Sequence, residues 1–143
     1  MRKALLSDID GTISDRSHRL HHLEGKKDWK SFFSEMHNDP PIMKTISRIE
    51  NLLSNYDTLI FVTGRPEKYR FETEKWIQNN TDFKNYELLM RANNNFEKDV
   101  IIKKEMLDKI RENFGVDTIF EDQIELANFW REQGLKCIQI EVT

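Results

Sequence analysis

Five short apolar runs alternate with stretches of helical length, and this alternation constrains the chain more than any other feature. The runs occupy residues 3–7, 58–63, 86–90, 117–120 and 135–140. Between them, Ile42, Ile46, Ile49, Leu52 and Leu53 recur at helical spacing. Residues 67–79 offer Tyr69, Phe71, Trp76 and Ile77 as core contacts, and residues 98–113 offer Ile102, Met106, Leu107 and Ile110. Residues 124–133 form a further helical stretch, with Gly134 as its stop. Strands joined by helices of this length need right-handed crossovers, which give a parallel sheet covered on both faces. The expectation is an α/β fold, a Rossmann-like three-layer sandwich with a mostly parallel five-stranded sheet.

In such sheets ligands bind beyond the carboxyl ends of the strands, near the switch in strand order. Polar residues stand at three of those ends: Asp8 and Asp10, Thr63 and Arg65, Glu121 and Asp122. Asp8 and Asp10 flank one residue ahead of a Gly11-Thr12 turn, and side chains at i and i+2 of an extended segment face one volume. Crowded carboxylates favour protonation of one or neutralisation by a cation.

The remaining composition excludes more than it selects. A length of 143 residues fits one domain over 1–143, with a small cap-like helical insertion at about 15–38. A net charge of −3 argues against a broad nucleic-acid-binding surface while leaving room for a local basic patch. Cys137 is the single cysteine and reads as core, so nothing favours an oxidising compartment. Only three apolar residues follow Met1-Arg2-Lys3, and no apolar run is long enough for a membrane span, so the expected location is cytoplasmic. Asp39, ahead of Pro40-Pro41, is expected to cap the next helix.

The strand-end residues suit phosphoryl chemistry. Asp8 would attack phosphorus, and Asp10, with a raised pKa, would protonate the leaving oxygen and later deprotonate water. A carboxylate approaches a phosphate dianion more easily through Mg²⁺, with Asp8, the backbone carbonyl of Asp10, and Asp122 as ligands. Glu121 would bind by a longer reach or orient a coordinated water. Thr63 and the amides of Ile9, Asp10 and Gly64 would hold phosphoryl oxygens. Lys103 is the preferred completing cation, with Lys98 and Lys104 as rivals on spacing. Arg65 would grip a substrate phosphate or pair with Glu67.

Asp8-Ile-Asp-Gly-Thr12, Val62-Thr-Gly-Arg65, Lys103 and Glu121-Asp122 resemble the four motifs of the haloacid dehalogenase-like (HAD) phosphatases. The segments Val62-Thr-Gly-Arg-Pro-Glu-Lys-Tyr-Arg70, Lys98-Asp-Val-Ile-Ile-Lys-Lys-Glu105 and Phe129-Trp-Arg-Glu-Gln-Gly134 are similar to the 3′-phosphatase domain of phage-type polynucleotide kinase/phosphatase. The resemblance implies an HAD-like fold and puts Asp99 and Lys103 on the family's helix motif, with Arg19 near a substrate-contacting arginine. The family usually has two aspartates where this chain has Glu121-Asp122.

In the insertion, Arg16, His18, Arg19, His21, His22, Lys26, Lys27 and Lys30 outnumber Asp15, Glu24, Asp28 and Glu35. Its histidines lack companions for a metal site, and Trp29, Phe32 and Phe33 read as core before they read as a base-stacking platform. Without a Gly-x-x-x-x-Gly-Lys-Ser/Thr loop, no kinase chemistry is expected of these residues. The expected function is a Mg²⁺-dependent phosphomonoesterase acting on a phosphorylated substrate, a 3′-phosphorylated nucleic-acid end or a nucleotide. Alternatives are a nucleotidase or small-metabolite phosphatase, and a non-catalytic binding module of the same fold. No protein partner can be inferred.

Overall fold

Alternation along the strands sorts the apolar side chains into two cores. The computed structural model describes residues 1–141. Its strands are β1 (Arg2–Ser7), β2 (Thr58–Pro66), β3 (Tyr86–Arg91), β4 (Phe114–Glu121) and β5 (Lys136–Gln139). Its helices are α1 (Trp29–Ser34), α2 (Met43–Leu52), α3 (Arg70–Asn80), α4 (Asp99–Arg111) and α5 (Ile124–Glu132). Ala4, Leu6, Ile60, Val62 and Ile119 pack against α4 and α5, while Leu5, Leu59, Phe61, Leu88 and Phe120 pack against α2 and α3. Adjacent residues thus serve opposite faces, and each fully buried leucine or phenylalanine contributes about 1.5–3 kcal/mol.

The strand order is β3-β2-β1-β4-β5, with every pairing parallel. The chain moves outward from β1 through β2 to β3, then returns to place β4 on the other side of β1. Strand order therefore reverses at β1, where open α/β sheets form their ligand crevice. Ser7 pairs with Phe61 on one side and Phe120 on the other, which brings Asp8 level with the ends of β2 and β4. The expected fold class is the observed one.

Three local expectations are corrected. Phe71 is 72% exposed, because the face of α3 carrying Thr73, Trp76 and Ile77 turns inward and leaves Phe71 outside. Asp39 does not cap α2, whose cap position is Ile42 with no side-chain bond; Asp39 is buried and bound to Arg19 instead. Helix α3 begins at Arg70, after a 3₁₀ turn at Glu67–Tyr69, because β2 continues through Pro66. Between β1 and α2 lie 3₁₀ turns at Ser17–Leu23 and Met36–Asn38 and the two-turn α1, whose cap Asp28 accepts from the Ser31 amide at 3.1 Å. Among the described residues no helix is long and apolar enough to cross a membrane.

Candidate active site

The ends of β1, β2 and β4, with the start of α4, meet at a cleft of about 1110 Å³. Asp8, Asp10, Gly64, Arg65, Asp99 and Lys103 line it. Thr63, Arg19 and Glu121 are fully buried, and the side chain of Asp122 keeps 12% exposure. All ten sequence-derived site residues therefore gather at one end of the sheet, in two electrostatically distinct groups.

The first group surrounds Asp8. Lys103 donates to Asp8 Oδ1 at 2.9 Å and to Glu121 Oε1 at 3.2 Å. Burial would strip Lys103 of its proton, but the two carboxylates raise its pKa above the usual lysine value. Burial and the neighbouring Glu121 push Asp8 up to about 7 against the pull of Lys103. Asp122, also desolvated and facing Asp8, is pushed up to about 6 despite Arg16. Arg16 donates to Asp122 Oδ2 at 3.3 Å, and the Thr12 hydroxyl donates to Oδ1 at 3.2 Å. Oxygens of Asp8, Glu121 and Asp122 all lie within 4.8 Å of one another.

That trio is short of positive charge, and it is built rather than accidental. Gly11 has φ +79°, and a Cβ there would stand 2.1 Å from Asp122 Oδ2, so only glycine admits the carboxylate so close to the β1 turn. Glu121 is saturated: Trp130 Nε1 donates to Oε1 at 3.2 Å, and the amides of Asp122 and Gln123 donate to Oε2 at 3.1 and 3.3 Å. Its extra methylene lets one carboxylate hold Lys103, Trp130 and the start of the β4–α5 loop together. Carboxylate oxygens crowded at this spacing suit a small hard cation such as Mg²⁺.

The second group surrounds Asp10. Arg65 donates to its carboxylate from Nε at 3.0 Å and Nη2 at 2.8 Å, and Arg19 Nη2 lies 2.5 Å from Oδ1. Arg19 also grips Asp39 with Nε at 2.8 Å and Nη2 at 2.7 Å, and stacks on Phe32 at 4.3 Å. Burial alone would raise the pKa of Asp10, but Arg65 and then Arg19 overcome it and hold the carboxyl well below the usual range. In this state Asp10 is anionic, against the raised pKa expected of it. Arg65 completes its bonding to Thr73 Oγ1 at 3.1 Å, so its fork faces protein partners, and its pairing is with Asp10 rather than Glu67. Glu67 pairs with Arg70.

Thr63 accepts the Arg65 amide on its hydroxyl at 3.1 Å, which fixes the turn at the end of β2. Asp99 pairs with Arg91, and Arg91 donates to the Gly64 carbonyl at 2.9 Å. Of the lysines weighed for the completing cation, Lys104 pairs with Asp108 on the helix surface, whereas Lys103 is buried and bonded to Asp8. Asp39, Trp130, Arg16 and Arg91 were not singled out as site residues by sequence reasoning. Trp130 has a signal in the Phe129–Gly134 segment and Arg16 in the basic run of the insertion, while Asp39 reads locally as a cap.

Known proteins resemble this chain over nearly its whole length. The family model described as "Polynucleotide kinase PNKP phosphatase domain" matches residues 2–143. A protein of Autographa californica nuclear polyhedrosis virus, described as a bifunctional polynucleotide kinase/RNA ligase, is 26% identical over 138 residues, which cover 95% of this chain and 19% of the viral protein. A chain of the Pnkp1/Rnl/Hen1 complex superposes with a TM-score of 0.80 and 28% identity, covering 98% of this chain and 46% of that one. The class C acid phosphatase of Bacillus anthracis shares the fold, with a TM-score of 0.70 at 14% identity over 98% of this chain and 67% of its own. The chain thus spans about a fifth of the viral protein and under half of the complex subunit.

Proposed function

Because this chain belongs to the family of polynucleotide kinase phosphatase domains, an HAD-type phosphatase family, we propose that it removes 3′-phosphates from nucleic-acid ends or nucleotides, with Mg²⁺ as cofactor. The observation that carries this reading is the desolvated carboxylate trio Asp8, Glu121 and Asp122 at the ends of β1 and β4, short of positive charge, with Lys103 aimed at Asp8.

Asp8 Oδ attacks phosphorus as the phosphorus–oxygen ester bond breaks, giving an aspartyl-phosphate. Asp10 gives its proton to the departing oxygen, then takes one from the water that attacks phosphorus and frees Asp8. For that role Asp10 must first gain a proton. A phosphate dianion entering beside Arg65 and Arg19 competes for their guanidiniums, and its negative charge together with burial then favours the protonated Asp10 carboxyl. Arg19 and Arg65 are thereby substrate-responsive, and Thr63 and Gly64 shape the turn that offers amides to phosphoryl oxygens. Asp99 orients Arg91 beneath that turn.

Asp8 and Asp122 would hold Mg²⁺ together with the Asp10 backbone carbonyl, and the ion would neutralise charge between carboxylate and phosphate. Glu121, saturated by four donors, orients Lys103 and the Asp122 backbone rather than binding the ion directly. The insertion at about 15–38 acts as a small cap, since it delivers Arg19 to Asp10 and Arg16 to Asp122.

Phosphate release from an aryl phosphate, a 3′-phosphorylated tetranucleotide, and 3′- and 5′-mononucleotides, each with and without Mg²⁺, tests the proposal. Mg²⁺-dependent turnover, fastest on the 3′-phosphorylated tetranucleotide, is the expected result. Better turnover of mononucleotides makes the protein a nucleotidase, and no release with any divalent metal makes it a binding module.

A further inference from the structure

Two aromatic side chains at the cleft are exposed for no reason that the fold supplies. Trp29, at the start of α1, is 49% exposed, and Phe96, in the loop between β3 and α4, is 90% exposed. Both line the cleft that contains Asp8 and Lys103. Neither is left out by slack. Phe33 stacks on Trp29 with ring centroids 5.9 Å apart and 23° between planes, and Phe33 is itself backed by Tyr69 at 5.0 Å.

The Phe96 loop is pinned on both sides of the ring. Arg91 Nη1 donates to the carbonyls of Asn95 and Glu97 at 3.1 and 2.6 Å, and the Asn95 side chain accepts the Glu97 amide at 3.0 Å. Asn94 takes the left-handed conformation, φ 62°, that this tight turn requires. Asn93 ties the loop to β2's exit by accepting the Lys68 amide at 2.9 Å. A rigid loop thus holds an apolar ring out in water beside the cleft.

We infer that Trp29 and Phe96 stack bases of a single-stranded polynucleotide whose 3′ end reaches Asp8. The inference rests on the 3′-phosphatase reading and extends it from the reacting phosphate to the strand behind it. The charges beside the rings favour this occupant. Lys30, Lys68 and Lys98 line the same cleft, and the Lys27 ammonium sits 5.8 Å from the Trp29 ring centroid, where a backbone phosphate beside a stacked base would meet it. Aromatic rings interleaved with cations match a strand of alternating bases and phosphates. A protein partner or a second copy would call for a continuous apolar patch, whereas these rings are separated by lysines and asparagines.

Trp29 also supplies the reporter, because Trp76 and Trp130 are only 3% and 0% exposed. The probes are oligouridylates of one, two and four nucleotides ending in a 3′-hydroxyl, which bind without being consumed. Tryptophan emission is quenched with an affinity that increases from one to four nucleotides. Phe96→Ala weakens the tetranucleotide about five- to tenfold, and Trp29→Ala weakens it similarly when binding is followed by anisotropy of a labelled strand. In turnover, both variants raise KM for a 3′-phosphorylated tetranucleotide by the same factor and leave aryl phosphate hydrolysis unchanged.

Affinity independent of strand length, or unchanged in both variants, overturns the inference. So does an equal loss on aryl phosphate, which would mean a damaged fold, or a Phe96-dependent dimer in sedimentation, which would make the surface an interface between copies. Binding of 3′-hydroxyl strands needs no turnover. Phe96-dependent binding without 3′-dephosphorylation would sink the catalytic reading alone, and 3′-dephosphorylation untouched by either variant would sink the stacking alone.

Discussion

Asp8 and Asp10 stand two residues apart on one turn, yet their surroundings treat them oppositely. Around Asp8, three carboxylates face Lys103 and Arg16, and the pKa values of Asp8 and Asp122 are pushed up. Around Asp10, two arginines balance Asp10 and Asp39, and the pKa of Asp10 is pulled down. Burial alone cannot explain the difference, since burial raises both carboxyls. What differs is the balance of fixed charge: three carboxylates face two cations around Asp8, and two face two around Asp10. The Asp8 side is left with a charge to be neutralised by something that arrives, whereas the Asp10 side is neutralised by the fold itself. One region is prepared for a ligand and the other is already bonded.

The largest effect should follow from altering the incomplete side. Asp8→Asn removes the proposed nucleophile and should lower aryl phosphate turnover about a thousandfold or more, with an unchanged circular dichroism spectrum. Substantial residual turnover would remove Asp8 from that role and leave the charge deficit without a catalytic meaning.

Altering the completed side should cost stability first. Arg65→Met leaves Asp10 against Arg19 alone and strands buried polar groups, so unfolding free energy should fall by about 3–5 kcal/mol, seen as a melting temperature roughly 10–15 °C lower. The pH dependence has a definite sign. The folded-state pKa of Asp10 is depressed, so the stability it contributes is present above the ordinary aspartate pKa, about 4, and is lost as pH falls through and below that value. Thermal melts between neutral and acidic pH should show the wild-type advantage over Asp10→Asn vanish on acidification. A constant gap would mean that the arginines do not stabilise the anion.

A divalent ion should act only on the Asp8 side. Mg²⁺ at a hundredfold its dissociation constant should stabilise the protein by about 2.7 kcal/mol, and Asp122→Asn should abolish the gain. A thermal shift surviving in Asp122→Asn would place the ion elsewhere.

This division was only half visible in the sequence. The sheet was legible because apolar runs and helical spacing encode it directly, and the parallel topology then puts Asp8, Thr63 and Glu121 at one end. Lys103 followed from its position one turn into a helix after β3. The arginine–aspartate network was not legible, because which cation meets which carboxylate depends on how the insertion folds back. Arg19 reaches Asp10 from the 3₁₀ turn Ser17–Leu23, held by Phe32 of α1 and by Asp39 just after the second 3₁₀ turn, and such irregular elements leave no periodic trace. Asp39 shows the same limit. An aspartate before two prolines reads as a cap on local grounds, and long-range pairing with Arg19 overrides it. Trp29, grouped with Phe32 and Phe33 as core, differs from them only in facing outward.

The smallest effect tests how far the two sides are separate. Thr73 lies in α3, away from the carboxylate trio, and accepts Arg65 Nη1 at 3.1 Å in a fully buried setting. Thr73→Val keeps the shape and leaves that donor without a partner, at a cost of about 1–2 kcal/mol. Arg65 would still hold Asp10 through Nε and Nη2. Turnover should therefore stay within about twofold, and the Mg²⁺-induced thermal shift should be unchanged while the melting temperature falls by a few degrees. A tenfold loss of turnover would mean that the Thr73 tether sets the orientation of Asp10 through Arg65. The completed network would then be part of the reacting geometry as well as its support.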